Sequence, residues 1–91
     1  MRKRVECQVT GRVQMVMYRD FVARNARSLR LTGTVKNMDD SSVDVVAEGE
    51  ETELLTLIAK LKKGTILARV EEVHVVWEGY TGEFSNFRIV Y

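Results

Sequence analysis

Two hydrophobic periods alternate along this chain, and their order leaves few folds open. From Val5 to Thr10, Val5, Cys7 and Val9 fall on one side and Glu6, Gln8 and Thr10 on the other. That is the period of a half-buried strand, here about residues 4–11. From Asp20 to Leu31 no glycine occurs, and Val22, Ala26 and Leu29 recur at i, i+4 and i+7. This stacks them on one face of a first helix. Thr32 to Met38 and Ser42 to Glu48 are β-rich runs around Asp39-Asp40-Ser41, which predicts a hairpin with Val43, Val45 and Ala47 pointing inward. Helical spacing returns between Glu51 and Lys63 through Leu54, Leu55, Ile58 and Leu61, with Glu50, Glu51 and Glu53 leading and Lys60, Lys62 and Lys63 trailing. Those charges complement a helix dipole, and Gly64 stands where a left-handed C-terminal cap is wanted. Arg69 to Glu78 alternates again through Val73, Val75 and Trp77, and beyond Gly79 and Gly82 a last strand carries Phe87, Ile89 and Tyr91 on one face.

The order is βαββαβ with a closing strand. Polar outer faces on the strands predict an antiparallel sheet of four to five strands, wet on one face and covered on the other by both helices. This is the α+β sandwich called ferredoxin-like. Residues 1–91 fit a single domain. The near balance of 14 Lys+Arg against 13 Asp+Glu supplies no field to draw nucleic acid or an anionic membrane. RNA-binding domains share this strand order but stack bases on sheet aromatics. The matching outer positions here, Glu6, Gln8, Thr10, Asp44, Val46 and Glu48, offer no ring. The single cysteine, Cys7, excludes an intrachain disulfide and a cysteine-rich metal site. No apolar stretch follows the basic start at Arg2-Lys3-Arg4. The expectation is a cytoplasmic monomer with no membrane or nucleic-acid partner.

Chemistry concentrates in Thr10-Gly11-Arg12-Val13-Gln14-Met15-Val16-Met17-Tyr18-Arg19, the passage from the first strand into the first helix. Backbone N–H groups of such a loop converge, and the helix N-terminus adds partial positive charge, so the junction suits a phosphate or carboxylate. Arg19 stands at its mouth, where a guanidinium grips two phosphoryl oxygens at once. His74, between Val73 and Val75, belongs on the outer face of its strand and away from this loop.

Gly11-Arg12-Val13-Gln14, Val16 and Tyr18-Arg19 resemble the signature of the acylphosphatase family. Leu31-Thr32-Gly33, Val35-Lys36-Asn37, Asp40, Val43, Val46, Glu48-Gly49, Ala68-Arg69-Val70, Trp77, Gly82-Glu83-Phe84, Phe87 and Ile89 follow in the same order and spacing, from about residue 5 to the end. The resemblance implies the ferredoxin-like fold and hydrolysis of the carboxyl–phosphate bond of acyl phosphates without metal or cofactor. Inorganic phosphate would be both product and inhibitor. It assigns phosphate binding to Arg19, the attacking water to Asn37, and the phosphate cradle to the amides of Gln14, Met15, Val16, Met17 and Tyr18. The family's second loop glycine is replaced by Met15 and its hairpin Asp-Gly by Asp40-Ser41. Either the loop holds Met15 at a left-handed φ, or it turns an amide away from the anion. The latter would leave an anion-binding or regulatory domain of the same fold with weak catalysis.

Overall fold

The computed structural model describes residues 1–91. The chain runs β1 (Arg2–Arg12), α1 (Tyr18–Ser28), β2 (Thr32–Asn37), β3 (Val43–Glu50), α2 (Glu51–Lys63), β4 (Arg69–Gly79) and β5 (Phe87–Val90). The five strands form one sheet in the order β4-β1-β3-β2-β5. Three of the pairings are antiparallel, whereas β5 runs parallel to β2. The sheet is therefore mixed: β5 enters beside β2 only after the chain has crossed from the far edge at β4. The ferredoxin-like α+β sandwich is otherwise as the periodicity predicts.

Alternation places Val5, Cys7 and Val9 of β1 and Val43, Val45 and Ala47 of β3 fully inside; these strands pack on α2, while α1 lies over β2 and β5. On α2 the buried stripe is Leu54, Leu57, Ile58 and Leu61, while Leu55 is exposed. Leu55 sits a quarter-turn from Leu54 and misses the arc on which 57, 58 and 61 converge. Helix α1 ends at Ser28, earlier than the predicted Leu31, because Arg30 takes φ 58° and Leu31 donates its N–H back to the Ala26 carbonyl. No glycine marks that stop.

The outer face is not wet throughout. Glu48 points outward from β3 but is buried beneath residues 81–83. Its carboxylate accepts the Thr81 hydroxyl at 2.6 Å, the Thr81 N–H at 3.0 Å, the Gly82 N–H at 2.9 Å and Arg4 Nη1 at 3.0 Å. Burial alone would raise this carboxyl, but those hydrogen bonds outweigh it and hold Glu48 below its ordinary range. The clamp fixes the long connection from β4, so that Gly33 N–H reaches the Asn86 carbonyl at 2.9 Å and β5 enters in register with β2.

At the other end of β1, the register with β4 shifts between Thr10 and Gly11. Gly11 has φ 117°, and a Cβ there would lie 2.1 Å from the Arg69 carbonyl oxygen. Only glycine fits. The chain then leaves the sheet through Val13, which is buried, into a loop where Met15 and Met17 both hold φ 60° with Val16 between them at negative φ. In the hairpin, Ser41 adopts φ 76° where Asp-Gly would be usual.

Two measurements check these features. Glu48→Gln should cost on the order of 3 kcal/mol at neutral pH, a fall in Tm of more than about 10 °C for a domain of this size. A carboxyl with a depressed folded pKa contributes stability above its unfolded pKa and loses it as pH falls through the folded one. The gap between variant and parent should therefore narrow in acid, as followed by thermal unfolding across pH. Met15→Gly should relieve about 1 kcal/mol of left-handed strain and raise Tm by about 4–8 °C; an unchanged or lower Tm contradicts the strained conformation.

Candidate active site

The loop between β1 and α1 is pinned at three points. Val13 sits in the core and Val16 packs against it. The Gln14 carboxamide turns away from the loop and donates from Nε2 to the Met38 carbonyl at 2.9 Å and the Ser42 carbonyl at 2.8 Å. Tyr18, buried at the first turn of α1, donates its hydroxyl to the Leu61 carbonyl of α2 at 2.8 Å. Burial, with a smaller contribution from Cys7, pushes the Tyr18 phenol upward, so it remains a neutral anchor.

Between these pins the backbone N–H groups of Gln14, Met15, Val16, Met17 and Tyr18 find no acceptor within the chain. Met15 and Met17 at φ 60° flank Val16 at negative φ, and alternation of hand along a loop is what lets successive N–H groups form an anion nest. The nest opens onto the N-terminus of α1, where Met17 caps the helix without a side-chain hydrogen bond. Met15 holds φ 60°, the first of the two alternatives that its replacement of a glycine left open.

Arg19 projects at the start of α1 with its guanidinium 4.9 Å from the centroid of the Tyr91 ring. No carboxylate neutralises it, because Asp20 pairs one helical turn on with Arg24 Nε at 3.1 Å. Stacking restricts the guanidinium while leaving its N–H donors free for an anion. Tyr91 is delivered there by β5: Lys36 of β2 pairs with Val90, so Tyr91 follows directly beyond the end of β5 at the end of β2 that Asn37 closes. Asn37 Oδ1 is buried and has no hydrogen-bond partner. A buried acceptor in that state awaits a donor.

The predicted site residues thus divide by role. Met15, Met17, Tyr18 and Arg19 line an open cleft of about 440 Å³. Val16 packs on the core and the Gln14 side chain turns to the hairpin, so neither side chain lines the cleft; Asn37 lies outside the cleft lining, at the end of β2 just before the turn that Gln14 grips. Sequence reasoning counted Gln14 only as a loop amide and did not see its clamp. The one available signal was an amide side chain placed among apolar loop residues. Tyr91, read as the end of the last strand, lies beyond β5 and is exposed. Its stacking on Arg19 depends on a parallel pairing that periodicity does not reveal.

Other reactive groups lie elsewhere. Cys7 is buried in the sheet, its thiol pushed up to about 12 by burial and by the nearby Asp44 and Glu6, so it is no nucleophile. Asp44, raised to about 6 by burial, by a hydrogen bond with Glu6 and by its charge, shares a shallow pocket with His74 on the open sheet face. A second groove, lined by Arg2, Arg30 and Tyr80, also holds Glu48, Glu50 and Glu53, which offset its cations.

A family model for acylphosphatase matches residues 5–89. The chain is 45% identical over 87 residues to an acylphosphatase of Salinibacter ruber, covering 96% of this chain and 92% of that protein. It is 44% identical over 89 residues to an acylphosphatase of Caldanaerobacter subterraneus subsp. tengcongensis, covering 98% and 99% respectively. The crystal structure of the acylphosphatase from Bacillus subtilis superposes with a TM-score of 0.94 at 35% identity over the whole of both chains. A family model that spans residues 5–89, relatives 44–45% identical over nearly the whole chain and a matching fold lead to one conclusion: this chain belongs to the acylphosphatase family.

Proposed function

We propose that the loop from Gln14 to Tyr18, with Arg19 and Asn37, hydrolyses acyl phosphates to a carboxylate and inorganic phosphate. The observation that carries this reading is the run of five unpartnered backbone N–H groups beside the uncompensated Arg19 guanidinium. Such donors suit a phosphoryl group, whose charge they neutralise in both ground and transition states. Arg19 takes two non-bridging oxygens in its fork while the amides receive the third.

Asn37 Oδ1 accepts a hydrogen bond from a water molecule and aims its lone pair at phosphorus. The water oxygen bonds to phosphorus as the bond from phosphorus to the acyl oxygen breaks. The bonding pair leaves with the carboxylate, which is a weak base and departs without a proton. The proton of the attacking water passes to a phosphoryl oxygen, so the protein needs no side-chain acid or base. Positioning and charge stabilisation supply the rate. The enzyme works on this reading as a cytoplasmic monomer without a metal, its one thiol reduced and buried.

The test is hydrolysis of acetyl phosphate by the purified protein in chelator. Turnover should persist, and inorganic phosphate should inhibit competitively; loss of turnover in chelator, or full activity in saturating phosphate, contradicts the reading. Arg19→Lys should lower kcat/KM about 100-fold and weaken phosphate binding, since an ammonium cannot replace the fork. Asn37→Ala should lower kcat by a similar factor of about 100 while leaving phosphate affinity nearly intact. Equal loss of both quantities in the Asn37 variant would remove the water-positioning role.

A further inference from the structure

The cleft that holds Arg19 is mostly apolar, and its apolar side chains stand in solvent. Met15 is 98% exposed, Met17 71% and Tyr91 90%, with Val13 and Ile89 behind them. Large side chains left this bare do not serve the core, which is already closed by Val13, Tyr18 and Phe87. Clustered in one groove, they mark a surface for a ligand. Arg19 is the one cationic side chain lining the cleft and Asp20 the one anionic side chain, itself paired with Arg24. Once Arg19 is engaged by a phosphoryl group, nothing cationic remains for a second anion.

We propose that this rim is an acyl-binding subsite, and that the preferred substrates are acyl phosphates with an uncharged, apolar acyl group. The inference rests on the phosphoryl site described under the proposed function. With the phosphoryl group held by the loop amides and Arg19, the acyl chain extends over the side chains of that same loop. Methionine suits the task, because its flexible, polarizable thioether adapts to chains of different shape, and Tyr91 supplies a flat wall.

The experiment compares acetyl, butyryl and hexanoyl phosphate. Their carboxylates have nearly equal basicity, so leaving-group chemistry stays constant while the chain lengthens. Burial of methylenes should raise kcat/KM by about threefold each over the first steps, and hexanoyl should exceed acetyl phosphate by at least about tenfold. In a Met15→Gln, Met17→Gln double variant that ratio should fall below about threefold; general damage to the cradle cancels from it. The matching Met15→Leu, Met17→Leu variant should keep the ratio. Hexanedioyl monophosphate, with a carboxylate at the far end of the chain, should lose the gain. A flat series in the parent protein, a ratio that survives the glutamines, a ratio lost with the leucines, or an undiminished gain with the dicarboxylate overturns the subsite. Failure to hydrolyse any member overturns the proposed function instead.

Discussion

A single carboxamide links the two halves of the site. Gln14 reaches from the anion loop to the Met38 and Ser42 carbonyls, which bracket the turn directly after Asn37. These two hydrogen bonds, each worth about 1 kcal/mol, tie the loop to the turn that follows Asn37. Together with the buried Val13 and the Tyr18 hydroxyl on Leu61, they over-determine a backbone that holds two methionines at left-handed φ. Strain of this kind persists only where the surroundings leave the chain no cheaper path. On the proposed reading the amides stand aimed before any anion arrives, and preorganisation of this sort is the main catalytic resource where no side-chain acid or base takes part.

The other requirement is met from the far end of the chain. Arg19 leans on Tyr91, and Tyr91 reaches it because β5 pairs with β2 in parallel. That pairing depends on the connection after β4, which is held by the buried Glu48 carboxylate and by Arg4. Arg4 also meets Glu83 at 2.6 Å and Glu78 at 3.4 Å. An ionic cluster on the outer face of the sheet thus helps to set an aromatic contact at the active end.

Much of this architecture was legible in the sequence because it rests on short-range periodicity. The alternation in β1 and β3, the charge-flanked stripe of α2 and the loop-to-helix passage at Gly11–Arg19 all carry local signals. The features that escaped depend on contacts distant in the chain. Glu48 looked like an ordinary outward residue because the segment that covers it lies more than 30 residues away. Leu55 entered the predicted stripe because adjacent leucines are indistinguishable until the opposing sheet selects one. The end of α1 was missed because Arg30, not glycine, takes the left-handed turn. The family resemblance supplied Asn37; residue patterns alone supported an anion site with Arg19 at its mouth and nothing finer.

The central claim, that the loop is a preformed anion nest, is tested most directly by following backbone amide resonances of the isotope-labelled protein as inorganic phosphate is added. The largest shifts are expected at the N–H groups of Gln14 to Tyr18 and at the Arg19 guanidinium, without new resonances elsewhere that would report refolding of the loop. Shifts centred on the Arg2 and Arg30 groove, or a loop whose amides do not respond while phosphate binds, would contradict it.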